Sequence, residues 1–271
     1  MPPVDSPQAF LAVVLQSFVT QTGAYFVLVS VLFLVFWRFG AVALAHRKLQ
    51  KQRRVDGKQI RFELKNTLAA LLAGTVTAAA IMAVAQSPYG RFTSDIDAAG
   101  GPLGVALSLV AMILVNDLWF YGWHRLLHTP FFFRHVHAVH HKSVDVNPFS
   151  SYSFHLFEAF ILSAWFIVAA LVVPLYLPAL AALQVVGMAN NLMSHLGYEL
   201  FPTWLMRIPI LRLTNTSTFH NLHHTHFNGN FGLHTRIWDR LFGTEVEGYE
   251  RAFIARDVAA ARKPADAAGP A

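Results

Sequence analysis

Between Ser6 and Trp37 the chain carries no charged side chain. A helix needs only about 20 predominantly apolar residues to cross the hydrocarbon core of a bilayer. Composition agrees with such a use: 55% of the 271 residues are hydrophobic and 13% are charged, whereas a soluble domain carries about 25% charged residues. The sequence therefore predicts membrane-spanning helices. Ala24 to Ala45 is expected to be the first, interrupted only by Arg38, with residues 8–20 lying along the interface. Asn66 to Ala85 gives a second span, and Leu103 to about Trp123 a third. Leu156 to Val173 and Leu177 to His195 flank "PLYLP" and predict a helical hairpin, spanning or partly re-entrant. No Lys or Arg precedes the first apolar stretch, so the basic n-region of a secretory signal is not seen.

The net charge of +6 is unevenly placed. Residues 46–65, "HRKLQKQRRVDGKQIRFELK", hold eight Lys or Arg against Asp56 and Glu63. In a membrane chain such a run reads as a cytoplasmic loop that fixes topology, in preference to a nucleic-acid surface. Counting spans from it brings the chain back to the cytoplasmic side at His124, and again at His195. There is no cysteine, which excludes structural disulfides, thiolate nucleophiles, cysteine-ligated iron–sulfur clusters and covalently attached c-type haem.

Histidine is the second constraint. Of fourteen histidines only His46 lies outside residues 124–234. "HRLLH" sets His124 and His128 four apart. "HAVHH" sets His137, His140 and His141 at i, i+3 and i+4, and "HNLHH" repeats that spacing with His220, His223 and His224. Residues three and four apart share a helix face, so each cluster can aim its imidazoles at one or two neighbouring points. Neutral imidazole is the commonest metal-ligating side chain and suits iron, zinc and copper. Eight such rings exceed what one four-coordinate ion needs and are enough for two. Span counting puts all three clusters on one side of the membrane.

"DLWFYGWHRLLH", "HAVHHKS", "HNLHH", "NFG" and "WDRLFGT" together resemble the sterol desaturase and fatty acid hydroxylase superfamily of membrane di-iron oxygenases, over about Leu103 to Thr244. The resemblance implies that His124 and His128, then His137, His140 and His141, then His220, His223 and His224 are the three histidine boxes holding two irons that activate O₂. It also implies a ligand at the end of the hairpin, His195 in "NNLMSH", and a further position four residues earlier, which here is Asn191. Imidazole ligands are oriented by acceptors for their other N–H. Asp117, on about the same face of its helix as His124, and Asp239 in "WDRLFGT" are candidates for that role. Glu158 and His155, in "SFHLFE", resemble a family stretch whose proline is missing here. His135, His226 and His234 fall outside the boxes and are expected to be solvated or to face substrate.

The expected fold is an all-α integral membrane protein with about four to five transmembrane or re-entrant helices and a cytosolic, histidine-rich di-metal cap. Residues 1–102 would supply the N-terminal helices and basic loop, 103–248 the catalytic region, and 249–271 a flexible tail. The expected activity is hydroxylation or desaturation of an unactivated C–H position of a lipid, whether sterol, fatty acyl or terpenoid. No Rossmann fingerprint and no appended haem domain are visible in the sequence, so electrons would come from an external reductase or carrier. A membrane metal-binding protein or metal transporter is the alternative, although its polar groups should be strung along a path through the membrane. An Ala-rich sequence without an evident endoplasmic-reticulum retrieval signal points towards a bacterial inner membrane.

Overall fold

The computed structural model describes residues 6–52, 55–98, 100–172 and 175–261. Helix α1 (Pro7–Phe33) starts at Ser6, whose hydroxyl accepts from the Ala9 amide, with Pro7 in the first turn where its missing N–H costs nothing. It continues through a π-helical turn, Leu34–Phe39, and stops at Gly40. The first helix thus begins far earlier than Ala24 and ends before Ala45. Residues 8–20 belong to it instead of lying apart, because nothing between Ser6 and Trp37 interrupts a helix. Helix α2 (Gly57–Ala85) is capped by Asp56, which accepts from the Lys58 and Gln59 amides. Strand β1 (Phe92–Thr93) precedes α3 (Gly101–Leu127). Three segments, Pro7–Phe39, Gly57–Ala85 and Gly101–Leu127, are long and apolar enough to cross a membrane.

Short elements follow α3: α4 (Pro130–Phe132), a π-helical turn Phe133–His137, and α5 (Ala138–His141). The expected hairpin is α6 (Leu156–Ser163), α7 (Trp165–Val172), β2 (Leu175–Tyr176) and α8 (Leu177–Ser194). Its tip reaches the end of the bundle away from the histidines, where Phe92 pairs with Leu175 and Thr93 with Tyr176. Helices α9 (Ser217–His226), α10 (Ile237–Phe242) and α11 (Tyr249–Ala255) complete the cap.

One segment gains structure that its charge pattern does not record, and one expectation needs correction. The start of the basic loop is built into the cap. Leu49 is fully buried, Lys48 pairs with Asp145 at 3.3 Å, and Gln50 donates to the Val144 carbonyl and to Oδ1 of Asn221 on α9. Residues 249–261 are not a flexible tail. Tyr249 and Phe253, one turn apart, bury against Phe219 and Leu222 of α9, and Ala252 and Ala261 join them. An aromatic pair at helical spacing outweighs the alanine content around it. Residues 262–271 lie outside the described residues.

Buried carboxylates tie the cap to the bundle. Glu63 of α2 accepts twice from Asn147 Nδ2 at 3.0 Å and once from Gln59. Glu199 accepts from the Thr218 amide and hydroxyl at the start of α9 and from the Phe201 amide. An unpaired buried carboxylate is costly. These pairings therefore fix where the histidine-bearing segments sit.

Candidate metal centre

Nine histidines converge in two adjacent groups. His124, His128, His137, His141 and His223 form one, and His140, His195, His220 and His224 the other. Within each group the ligand nitrogens lie within 4.8 Å of one another. Helix geometry sorts them. On α9, His220 and His224 are about one turn apart and share a face, while His223 stands about 100° from His224. The i, i+4 pair enters one group and the residue between them enters the other. The second cluster divides in the same way: His137 and His141 enter the first group and His140 the second. His141 and His224, from different groups, have ring centroids 4.7 Å apart.

The outer nitrogens set the direction of the rings. His124 donates its Nδ1–H to the Phe231 carbonyl at 2.8 Å and His223 to the Gly229 carbonyl at 2.7 Å. His195 donates to the Asn191 carbonyl at 3.1 Å. His137 donates to Oε1 of Glu158 at 2.8 Å. Nε2 of each of these four rings is then a bare lone pair turned inward. The Nε2 atoms of His124 and His137 are 3.2 Å apart, those of His223 and His141 3.1 Å, His220 and His195 3.1 Å, and His224 and His220 3.0 Å. Facing lone pairs repel at this range unless a cation lies between them. Two donors each about 2.1 Å from one ion, and at right angles around it, stand about 3.0 Å apart. The donor set therefore fits one metal in each group. Burial, and then neighbouring imidazoles, hold His137, His140, His141, His220, His223 and His224 well below the ordinary value of 6.5. The rings are neutral at pH 7, the state that ligates metal.

The other candidates divide. Glu158 touches a histidine of the groups directly. Asp239 accepts from the Phe231 and Gly232 amides and the Thr244 hydroxyl, so it holds the loop whose carbonyl receives His124. Asp117 accepts from the Leu233, His234 and Thr235 amides, gripping the same loop one step further along. His155 faces no imidazole of the groups: its Nδ1 accepts from the Phe157 amide and caps α6. Asn191 donates its Nδ2 to the Ser151 carbonyl at 2.8 Å. His135 bonds its own turn through the Phe131 carbonyl, and His226 bonds the Leu222 carbonyl outside both groups. His234 is buried on Oδ1 of Asn116, not solvated.

The carbonyls of Gly229 and Phe231 had no side-chain signal in the sequence. The segment that carries them turns through positive φ at Phe227 (65°) and Asn230 (59°). Such a backbone is uncommon for phenylalanine. Here the Phe227 ring lies against His141, with centroids 5.0 Å apart.

This arrangement is that of a histidine-rich membrane protein of the fatty acid hydroxylase family. The family's model matches residues 109–244, and the chain belongs to it. The chain is 26% identical over 231 residues to a Delta(7)-sterol 5(6)-desaturase of Aspergillus fumigatus, covering 84% of this chain and 60% of that protein. It is 27% identical over 248 residues to a Delta(7)-sterol 5(6)-desaturase of Eremothecium gossypii, covering 89% and 68%. It is 30% identical over 134 residues to methylsterol monooxygenase 1 of Gallus gallus, covering 49% and 44%. No solved structure matches.

Proposed function

We propose that the protein is a membrane oxygenase which uses two irons, held by the nine histidines, to hydroxylate or desaturate a lipid with O₂ and electrons from an external carrier. One observation carries this reading. A cavity of about 590 Å³ runs from the histidines into the helix bundle. Its wall includes His124 and His137 of one group and His140, His195 and His220 of the other. Leu28, Ile81, Phe166 and Leu183 contribute to the remainder, from four different helices. That volume is in the range of small-molecule sites, and the apolar lining suits a lipid that enters from the bilayer. The names of the relatives, sterol desaturases and a methylsterol monooxygenase, agree with such chemistry.

Bound irons would activate O₂ for removal of hydrogen from an unactivated C–H bond, giving an alcohol or, with loss of a second hydrogen, an alkene. The chain's own residues hold and orient. Glu158 and the Phe231, Gly229 and Asn191 carbonyls keep the Nδ1–H of His137, His124, His223 and His195 outward and their Nε2 inward. The apolar wall keeps water from the reacting carbon. The basic segment beside the cap supports a cytoplasmic position for this site. The test has two parts. Purified active protein should carry two irons per chain and show no Soret band. Lipid mass spectrometry of cells with active protein, against cells with an inactive variant, should show an oxidised or desaturated lipid. One metal per active chain, or no lipid change, would overturn the reading.

A further inference from the structure

Residues 230–232, "NFG", serve two rings of one histidine group. The Gly229 carbonyl, just before them, receives His223, and the Phe231 carbonyl receives His124. A trans peptide is planar and points its C=O and N–H in opposite directions. Each carbonyl is therefore aimed by the N–H across its own peptide plane. The Asn230 amide donates to the Thr244 carbonyl at 2.9 Å, which turns the Gly229 carbonyl towards His223. The Gly232 amide donates to Oδ2 of Asp239 at 2.7 Å, which turns the Phe231 carbonyl towards His124. A Cβ at Gly232 would stand 2.1 Å from the Thr235 carbonyl oxygen, so the third position has no room for a side chain. Asn230 holds the first position with both ends of its buried amide. Its Nδ2 donates to the Phe219 carbonyl of α9 at 2.9 Å, and its Oδ1 accepts from the Val246 amide at 2.8 Å. These partners fix the amide's orientation, since a carbonyl can only accept and an N–H can only donate. Its φ of 59° is left-handed, a conformation that asparagine tolerates better than most residues.

We propose that Asn230 is a positioning residue for the five-histidine group, holding His124 and His223 on their carbonyls at once. It acts through the peptide planes on either side of it and not by ligating metal. Phe219 precedes His223 by four residues, about one helical turn. One side chain thus fastens the loop both to the helix that carries His223 and to the stretch that follows α10. The four-histidine group is oriented elsewhere: His195 is held by the Asn191 carbonyl and His140 faces the Ser153 carbonyl at 3.4 Å. Loss of the Asn230 amide should therefore be felt first in one group. The inference rests on the reading that the two groups hold metal.

The experiment uses the full chain in lipid nanodiscs, loaded with zinc, which is diamagnetic and suits the same imidazoles. Nitrogen-15 labelled histidine reports each Nδ1–H by nuclear magnetic resonance, and chelator competition reports zinc affinity. Signals are assigned by their loss in His124→Ala, His223→Ala and His195→Ala. Asn230→Gly keeps the left-handed backbone without steric cost and removes both side-chain bonds. Asn230→Asp keeps the acceptor for Val246 and loses the donor to Phe219. In both variants the His124 and His223 signals should shift or broaden, the His195 signal should stay, and zinc affinity should fall about tenfold. Phe253→Leu, which loosens packing against α9 away from this loop, should lower the melting temperature and leave all three signals in place. In the unaltered protein the Nδ1–H protons of His124 and His223 should be visible and slow to exchange with water. Their absence would overturn the inference whether or not a variant folds. Two bound zinc ions with unmoved signals in the Asn230 variants would also overturn it, and leave the metal reading standing. An unaltered protein that binds no zinc would overturn both.

Discussion

At the scale of single residues, His223 and His226 separate a built site from a histidine-rich surface. His223 points its Nε2 into the five-nitrogen group, whereas His226 bonds back to its own helix. His223→Ala should lower turnover by at least about a hundredfold and reduce bound metal, because it removes a ligand and orphans the Gly229 carbonyl. His226→Ala should keep two metals and stay within about twofold of the parent rate. Metal analysis and turnover on the two purified variants check this; equal losses would mean that the third cluster is drawn wrongly. Glu158→Gln replaces a carboxylate acceptor by an amide, makes His137 a weaker donor to metal, and should cost about tenfold in metal affinity, measured by chelator competition. Eight of these histidines were legible from spacing and residue type, and His195 only through the family resemblance; the structure brings all nine together. The hydrogen bonds that Asn191 and His155 make with nearby backbone were not legible, because the sequence gives the helix face of a side chain but not the backbone group beside it. The carbonyls that orient His124 and His223 left no trace at all, every residue having one.

At the scale of elements, the 227–235 segment joins α9 to α10 and supplies both of those carbonyls. It packs closely enough that a Cβ at Gly229 would stand 2.5 Å from the Thr244 carbonyl oxygen. Gly229→Ala should therefore push this segment away from His223. It should destabilise the protein by about 1–3 kcal/mol and release metal, although alanine contacts no ligand ring. Thermal unfolding with and without added metal checks it; an unchanged melting temperature and metal content would show that the loop does not steer the ring. The helices themselves were readable from apolar length, but their ends were not. The start of α1 was misplaced because hydropathy marks where lipid is tolerated, while Ser6 and Pro7 mark where a helix can begin. The fate of residues 46–52 and 249–261 depends on contacts with α9, and local composition does not record those.

At the scale of the whole molecule, the hairpin tip and residues 90–98 meet at one end and the histidines gather at the other. Reporter fusions should place residues 46–65 and His141 on the cytoplasmic side and residues 90–98 opposite. His141 and residues 90–98 reporting from one side would contradict the bundle. Acid should also act on the molecule as a unit. The buried rings resist protonation in the folded state, while the unfolded chain takes up protons as pH falls below the ordinary imidazole value of 6.5. Stability is therefore present above that value and lost below it. The metal-free protein's melting temperature should drop as pH is lowered from about 7.5 to about 5, and a flat profile would mean that the rings are protonated or exposed. Finally, α9 and the segment leading into α5 each send a pair of rings to one group and a single ring to the other. Neither helix can serve one ion without also being set in place for its neighbour. The first ion to arrive orders ligands that the second then finds already fixed, so its entropic cost of binding is lower. Filling of the two positions should thus be cooperative. Metal-free protein titrated with ferrous or zinc ions should pass from empty to doubly loaded with little of the singly loaded form between them.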